Sequence, residues 1–206
     1  MITKLTIISG GLREPSSTRL LADRLEASVR TELAGLGIKT ESFWVDLRPL
    51  GRQIMDAMLT GLVAPALESA FETVASADAV IAVTPAFNAS FSGLFKSFFD
   101  VLPAESLSDM PVLIGATGGT ERHSLILEHS LRPMFSYMHA IVSPTGVYAA
   151  TEDFGQSSAL GQRIAKASAD FGRLIHSCGA HQRRDVFAEE LTSMEQLLGG
   201  RPASQT

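Results

Sequence analysis

The sequence is poor in the features that mark secreted and membrane proteins. It contains a single cysteine, Cys178, in 206 residues, which excludes an internal disulfide bond and favours a reducing compartment. No stretch approaches the roughly 18 consecutive apolar residues that a membrane-spanning helix requires. Residues 1–8 form too short a hydrophobic run for a signal peptide, so we expect a strand there. Together these absences predict a cytoplasmic protein.

An excess of positive charge is also missing. The chain carries 17 lysines and arginines against 22 aspartates and glutamates, a formal net charge of −5, which argues against a nucleic acid or an anionic membrane as partner. Its length fits one α/β domain. We expect this domain in residues 1–180, followed in residues 181–206 by a helical extension that contacts a second subunit and by a mobile tail.

Several chemical motifs are absent as well. The sequence has no Gly-x-Gly-x-x-Gly fingerprint, no Gly-Lys-Ser/Thr loop and no Gly-x-Ser-x-Gly nucleophile elbow. Its histidines lack the spacing of metal ligands, so neither a metal site nor a catalytic acid or base is expected. The five histidines are His123, His129, His139, His176 and His181.

A strand, a polar loop and a helix follow one another in residues 7–21. In a parallel α/β unit such a loop lies at the carboxyl end of the strand, where its amides and the next helix N-terminus point at one spot. Two glycines allow the backbone to approach a ligand closely, and an arginine and three hydroxyls can bind an anion. The pattern predicts a site for one terminal phosphate monoester, although a helix cap after an ordinary surface loop has the same signature. The residues concerned are Gly10, Gly11, Arg13, Ser16, Ser17 and Thr18.

Two further loops follow predicted buried strands. The continuous apolar run at 79–83 predicts a central parallel strand with both faces buried, and a similar strand is predicted at 111–116. If the strands have the flavodoxin-like order 2-1-3-4-5, all three loops meet at the topological switch point. A flat, phosphorylated ligand would fit between them. The second loop contains Pro85, Ala86, Phe87 and Asn88, and the third contains Thr117, Gly118, Gly119 and Thr120.

The remaining pattern predicts an α/β sandwich of three layers, with a five-stranded parallel sheet and helices on both faces. Residues 49–64 are expected to form a loop with a short amphipathic piece, and Asp46 before them is expected to cap a helix. Pro133 interrupts the helix predicted at 121–138, so a kink or register shift is expected near His129. Further helices are expected at 18–34, 65–75, 94–102 and 157–176, and further strands at 38–45 and 140–147.

The three loops together resemble the NAD(P)H-dependent FMN reductases of flavodoxin-like fold, over residues 5–154. The family's first loop, Gly-Ser-x-Arg followed by small hydroxylic residues, is matched by residues 10–18. Its second, Thr-Pro-x-Tyr-x-x-Ser-x-x-Gly-x-x-Lys, is matched by residues 84–96. Two positions depart from the pattern, since Gly11 replaces a serine and Phe87 replaces a tyrosine. Each change removes a hydroxyl group from a loop that is expected to contact FMN.

Within that family the chain is most similar to the reductase components of two-component alkanesulfonate monooxygenases, which pass reduced FMN to a separate oxygenase. Residues 116–120, 131–133 and 146–149 carry this similarity. It implies hydride transfer from NADPH or NADH to flavin N5, with the cofactor carrying the chemistry and the protein positioning it. It also implies an oxygenase partner, a homodimer or homotetramer, and a role for His129 in oligomerisation or flavin retention.

The resemblance assigns cofactor-binding residues loop by loop. The first loop is expected to hold the FMN phosphate, and the other two are expected to line the flavin ring. The expected set is Ser9, Gly11, Arg13, Ser16, Ser17, Thr18, Pro85, Ala86, Phe87, Asn88, Thr117, Gly118, Gly119 and Thr120.

Three other functions stay open on the sequence alone. One is an electron carrier that retains its FMN, as flavodoxin does; another is a quinone or azo reductase; the third is a phosphate-binding hydrolase or regulator without flavin. A carrier would favour a shorter, more acidic chain with aromatic residues around the ring, whereas this chain has one tryptophan and two tyrosines. A hydrolase would need a nucleophile, which the motifs do not supply. An FMN reductase is therefore the favoured prediction.

Overall fold

A sheet of parallel strands forms the centre of the molecule, whose computed structural model describes residues 2–155 and 157–179. The strands are β1 (Ile2–Ser9), β2 (Lys39–Asp46), β3 (Ala79–Phe87), β4 (Ser90–Phe91), β5 (Pro111–Gly118), β6 (Ile141–Val142) and β7 (Val147–Ala150). The α-helices are α1 (Ser17–Gly35), α2 (Leu47–Thr60), α3 (Pro65–Ala75), α4 (Gly93–Val101), α5 (Arg132–Tyr137) and α6 (Ser157–Cys178).

The strand order is β2-β1-β3-β5-β6, with β7 also paired to β5. All of these pairs are parallel, whereas the short β4 runs antiparallel to β3. The predicted flavodoxin-like order is confirmed, since its five positions are occupied in the expected sequence. The predicted number of strands is wrong, because the described sheet contains seven strands.

The two additional strands have separate causes. One is β4, which forms a hairpin with the end of β3. The other arises because the predicted fifth strand is split: β6 pairs with the start of β5 and β7 with its end. Pro144, which has no backbone N–H to donate, lies in the gap. Arg132 donates to the carbonyls of Ser143 at 2.9 Å and Pro144 at 3.1 Å, so the break in pairing is compensated by a side chain.

Two hydrophobic cores lie on opposite faces of the sheet. On one face, Ile7 of β1 and Ile81 of β3 pack in the core formed with α1 and α6. On the other, Ile8 and Val80 pack with α2 to α5, in a core that contains five buried phenylalanines. Neighbouring residues along each strand therefore enter different cores, as the alternation of side chains in a strand requires. The predicted burial of both faces of β3 and the predicted helices on both faces are confirmed.

The structure corrects two predictions about the segment that follows β2. Residues 49–64 are not mainly a loop, because α2 covers Leu47–Thr60. Pro49 lies in the first turn of this helix, where a missing amide donor breaks no helical bond, so it does not act as a helix breaker. Asp46 is at the N-terminal boundary of α2 but its side chain makes no capping hydrogen bond; its carboxylate pairs with Arg19 instead.

The helix predicted at 121–138 consists of three unlike pieces. A 3-10 turn spans Glu121–His123, a π-helical turn spans Leu127–Leu131, and α5 follows. His129 lies inside the π-helical turn, so the predicted register shift near this residue is confirmed. The helical extension and the mobile tail expected in residues 181–206 lie outside the described residues.

Among the described residues, no single helix has the length and apolar composition needed to cross a membrane. Only α2 and α3 taken together reach those values, and they meet at an angle of 94°.

Candidate functional site

The three predicted loops meet in one cleft above the carboxyl ends of β1, β3 and β5. Its volume is about 710 Å³, within the range of roughly 300–1,000 Å³ typical of small-molecule sites. Ten of the fourteen expected cofactor-binding residues line this cleft: Arg13, Ser16, Ser17, Thr18, Pro85, Ala86, Phe87, Thr117, Gly118 and Gly119. Ser9 and Gly11 instead line an adjoining cleft of about 580 Å³. Asn88 and Thr120 line neither cleft.

The first loop presents the N-terminus of α1 to the cleft. Ser16 is the N-cap, and its hydroxyl accepts a hydrogen bond from the Arg19 amide at 3.2 Å. The amides of Ser17 and Thr18 have no partner inside the helix, because they belong to its first turn. The helix dipole adds partial positive charge at the same place. An anion in the cleft would therefore meet free donors and favourable charge.

Arg13 differs from the other arginines near this loop. Arg19 is paired with Asp46 at 2.6 Å and with Asp23 at 2.9 Å, and Arg48 is paired with Glu14 at 3.0 Å. Arg13 has no hydrogen bond or ion pair with any described residue, yet it lines both clefts. Its guanidinium group is therefore available for a ligand without breaking an existing pair.

Gly11 fits its position because of Ser16. A Cβ atom added at Gly11 would lie 2.2 Å from Ser16 Oγ and 3.2 Å from Ser16 Cβ. The capping hydroxyl thus occupies the space that the serine of the family pattern would need. The loss of a hydroxyl at position 11 is therefore coupled to the rotamer with which Ser16 caps α1.

Thr18 links the first loop to the third. Its hydroxyl lies 2.8 Å from the hydroxyl of Thr117, and both side chains are buried. A hydroxyl engaged in this way contributes to the site by joining α1 to the end of β5, while the Thr18 amide stays at the helix N-terminus. This hydrogen bond thus joins the first loop to the third.

The second loop is a tight hairpin between β3 and β4. Phe87 pairs with Ser90, and the two residues between them, Asn88 and Ala89, have φ values of 48° and 64°. Two consecutive positive φ angles are typical of the two-residue hairpin turns that match strand twist. Asn88 therefore lies at the tip of the hairpin, outside the lining of the cleft, and the expectation that it lines the flavin ring finds no support in this geometry.

A tyrosine of β7 is hydrogen-bonded to the third loop. The Tyr148 hydroxyl donates a hydrogen bond to the carbonyl of Thr120 at 2.7 Å. Burial, and secondarily the charge of Asp153, raise the pKa of Tyr148 above its ordinary value, so this hydroxyl stays a donor near neutral pH. Thr120 is used as the acceptor in this bond and does not line the cleft.

The chain matches known proteins over most of its length. Residues 3–155 match the family model described as NADPH-dependent FMN reductase. The chain belongs to the NADPH-dependent FMN reductase family. The family resemblance that the three loops predicted is therefore confirmed.

Individual members of the FMN reductase family agree with this assignment. The FMN reductase (NADPH) of Pseudomonas aeruginosa is 39% identical over 152 residues, which are 73% of this chain and 78% of that protein. The NADH-dependent FMN reductase SfnE of Pseudomonas putida is 34% identical over 88% of this chain and 96% of that protein. Among solved structures, an oxidoreductase from Corynebacterium diphtheriae has a TM-score of 0.82 at 41% identity, covering 85% of this chain and 98% of that chain.

The walls of the cleft suit the flat ring of the flavin named by the family. Leu12, Leu20 and Phe87 are large apolar residues that are each about 40% exposed, and all three line it. Apolar side chains at a rim of amides and hydroxyls form the mixture that small-molecule sites usually show. The unpaired Arg13 and the free amides at one end complete a fit to a phosphorylated flavin.

Sequence reasoning missed five residues that line the cleft. Leu12, Pro15 and Leu20 lie within or just after the first loop, and their proximity to Arg13 in the chain was a usable signal. Thr151 and Phe154 belong to a 3-10 turn after β7, where the sequence carries no comparable motif. This turn is brought to the cleft only because β7 pairs with β5.

Neither a histidine nor a cluster of metal ligands lines the cleft in the described part of the chain. No histidine lines the cleft, and His123 and His129 are exposed on the turns that follow β5. The described residues contain no group of three or more His, Cys, Asp or Glu side chains that could hold a metal ion. The groups that the cleft offers to a ligand are amides, hydroxyls, one guanidinium and apolar walls.

Proposed function

We propose that this protein reduces FMN with NADPH or NADH in the cleft formed by the three loops. The observation that carries the proposal is Arg13, which lacks a partner among the described residues and lines the cleft beside the first turn of α1. A free guanidinium next to free helix amides is suited to a phosphate dianion. Family membership supports the same ligand.

The proposed roles of the residues follow from their positions. Arg13, the hydroxyls of Ser16 and Ser17, and the amides of Ser17 and Thr18 hold the phosphate. Phe87 and the third loop flank the ring, and Thr18 and Thr117 fix the distance between the two ends of the site. Bound FMN supplies the chemistry by accepting a hydride from the nicotinamide. The protein supplies position and polarity, so no side chain acts as a general acid or base.

We propose further that FMN exchanges with solvent and that reduced FMN passes to a partner oxygenase, as in two-component alkanesulfonate monooxygenases. The exposed fraction of Leu12, Leu20 and Phe87 supports exchange, because a flavin held there would keep one side accessible. The relatives include reductases named for NADPH and for NADH, so both donors belong to the proposal.

Oligomerisation and compartment are part of the same proposal. An apolar patch on α2 and the α2–α3 connection supports a homodimer or homotetramer, because contiguous exposed apolar surface favours association. The single cysteine supports a cytoplasmic location. Exposed His129 in the π-helical turn is proposed to affect oligomerisation or flavin retention. The patch consists of Met55, Met58, Leu59, Leu62 and Val63.

The decisive experiment follows NADPH and NADH absorbance after the protein is mixed with a large excess of free FMN. Continued oxidation of the nicotinamide over many equivalents of protein is the expected result. Oxidation of one equivalent per bound flavin, with free FMN left oxidised, would support the FMN-retaining carrier instead. Turnover that needs an added quinone or azo dye would support the other alternative. Absence of any oxidation with either nucleotide would contradict the proposal.

A further inference from the structure

Tyr148 lies directly beneath the third loop. In the pairing of β5 with β7, Tyr148 is opposite Ala116, and Gly118 is two residues further along β5. Residues two apart in a strand project from the same face of a sheet. The side chain of Tyr148 extends along that face, and its hydroxyl reaches the carbonyl of Thr120 at 2.7 Å. The tyrosine thus reaches from its position opposite Ala116 past Gly118 to Thr120.

Gly118 is matched to this tyrosine. A Cβ atom added at Gly118 would lie 2.0 Å from Tyr148 Oη and 3.1 Å from Tyr148 Cζ. The backbone of Gly118 does not have a positive φ angle, so conformational freedom is not the reason for glycine at this position. The reason is volume, because the phenol occupies the space where a side chain would begin.

We propose that Tyr148 is a positioning residue for the flavin ring. It holds the third loop through the Thr120 carbonyl, and it requires glycine at position 118, so that Gly118 and Gly119 form a low wall of the cleft. This inference rests on the proposed function, since it assumes that FMN occupies the cleft. Tyr148 itself does not line the cleft, and its effect on FMN is exerted through the loop.

The hydrogen bond between Tyr148 and Thr120 is buried. Tyr148 is 7% exposed, so water could not easily replace the Thr120 carbonyl as the acceptor of its hydroxyl. Replacement of Tyr148 by phenylalanine removes only this hydroxyl and keeps the ring that packs in the core. The variant therefore separates the hold on Thr120 from the packing of the aromatic ring.

The first test titrates FMN and riboflavin with the full-length Tyr148→Phe protein and measures binding by flavin fluorescence. Loss of one buried hydrogen bond predicts a weakening of about two- to tenfold. The same factor is expected for both flavins, because the third loop contacts the ring they share. In steady-state assays the KM for FMN should rise while kcat changes little. Tyr137→Phe is the matched control, since Tyr137 is 86% exposed and should leave all values unchanged.

The second test asks whether the effect of Tyr148→Phe on flavin affinity changes sign when residue 118 is alanine. Gly118→Ala alone should weaken both flavins more than Tyr148→Phe does, because the new Cβ displaces the Tyr148 hydroxyl and the loop with it. In the Gly118→Ala background, Tyr148→Phe removes the clashing atom and should restore part of the affinity. A substitution that is harmful in one background and beneficial in the other identifies Gly118 and Tyr148 as a matched pair.

Failure of this inference is distinguishable from failure of the proposed function. If Arg13→Ala weakens FMN but Tyr148→Phe changes neither flavin, the positioning role is wrong and the cleft assignment stands. If Arg13→Ala also leaves FMN affinity unchanged, FMN does not bind in this cleft and both proposals are overturned. A lower thermal midpoint of Tyr148→Phe with unchanged flavin affinity, or additive losses in the double variant, would overturn the positioning role as well.

Discussion

The first and third loops meet at the same ligand cleft but are held in different ways. The first loop is shaped by its own backbone and by the Ser16 cap, and it leaves Arg13 without a partner among the described residues. The third loop is fastened by the Tyr148 side chain, which comes from a neighbouring strand. One hydroxyl pair, Thr18 with Thr117, connects them.

This difference suggests a division of labour between charge and shape. A loop with an unpaired cation and free amides recognises the phosphate, which is present in FMN and absent from riboflavin. A loop without charged side chains and with a fixed backbone recognises the ring, which both flavins share. Changes in the first loop should therefore discriminate between the two flavins, whereas changes in the third should not.

Arg13→Ala tests the charge side of the comparison and has the largest expected effect. Loss of charge-assisted hydrogen bonds of about 1.5–3 kcal/mol predicts FMN binding that is roughly 10- to 100-fold weaker. Riboflavin affinity should stay the same, because riboflavin has no phosphate. Isothermal titration with both flavins measures the ratio. Arg48→Ala is the control, since Arg48 is already paired with Glu14; equal loss for both flavins would make Arg13 a structural residue.

Thr117→Val and Thr18→Val test the connection between the loops. Each single change leaves the other buried hydroxyl without its partner, which predicts a loss of about 1–3 kcal/mol in the free energy of unfolding. The double variant should lose less than the sum, because two apolar groups of the same shape then face each other. Urea denaturation of the flavin-free protein gives the coupling. If the two losses of unfolding free energy were strictly additive, the hydroxyls of Thr18 and Thr117 would not be coupled. Thr31→Val on the exposed face of α1 provides a control.

Gly11→Ala tests how the first loop is held, with a smaller effect. The added Cβ would displace the Ser16 hydroxyl, and loss of such a cap costs about 1 kcal/mol. In a Ser16→Gly background the same change should cost clearly less, because the clashing atom is already gone. Thermal unfolding of the four proteins measures this. Gly35→Ala serves as control, since a Cβ there meets no atom within 4 Å; an equal cost in both backgrounds would refute the coupling.

Local sequence signals were sufficient to predict the buried strands and the three loops, whereas the order of the strands came from the resemblance to FMN reductases of flavodoxin-like fold. The apolar run in β3, buried on both faces, and the polar residues at the strand ends are local signals that survive folding. The sequence did not predict α2, because Pro49, Gly51 and Gly61 within residues 49–64 favour a loop, although the first turn of a helix tolerates proline. The effect of a proline or glycine depends on its position within the helix, and the sequence does not show where the helix begins.

Contacts between distant segments could not be predicted from local patterns. Phe154 reaches the cleft, and Tyr148 reaches Gly118, only through the register of β7 against β5. The family resemblance implies that Asn88 lines the flavin ring, whereas the hairpin turn places this residue at the tip. A departure from the family pattern such as Gly11 was visible in the sequence, but its cause in Ser16 was not.

The last prediction concerns Asp170, and it tests whether stability can be changed without changing flavin recognition. Asp170 on α6 is 7% exposed and binds Lys166 at 2.6 Å, together with Arg173 and the hydroxyl of Thr145 between β6 and β7. The hydrogen bonds from Lys166 and Thr145 lower the pKa of Asp170 below its ordinary value of 3.8. Its contribution to stability is therefore complete above that value and is lost as the pH falls through the lower, folded-state pKa.

Asp170→Asn should thus reduce the free energy of unfolding near neutral pH by about 1 kcal/mol or less, since its two cationic partners are largely exposed. Between about pH 6 and about pH 3, the difference from the unmodified protein should stay nearly constant until the pH reaches the ordinary pKa of 3.8 and should shrink only below it. Urea denaturation across this range measures the effect, with the exposed Asp100→Asn as control. The ratio of FMN to riboflavin affinity should not change, because Asp170 binds the segment between β6 and β7 and does not line the flavin cleft. A changed ratio would mean that phosphate recognition also depends on this side of the sheet, and the division between the two loops would fail.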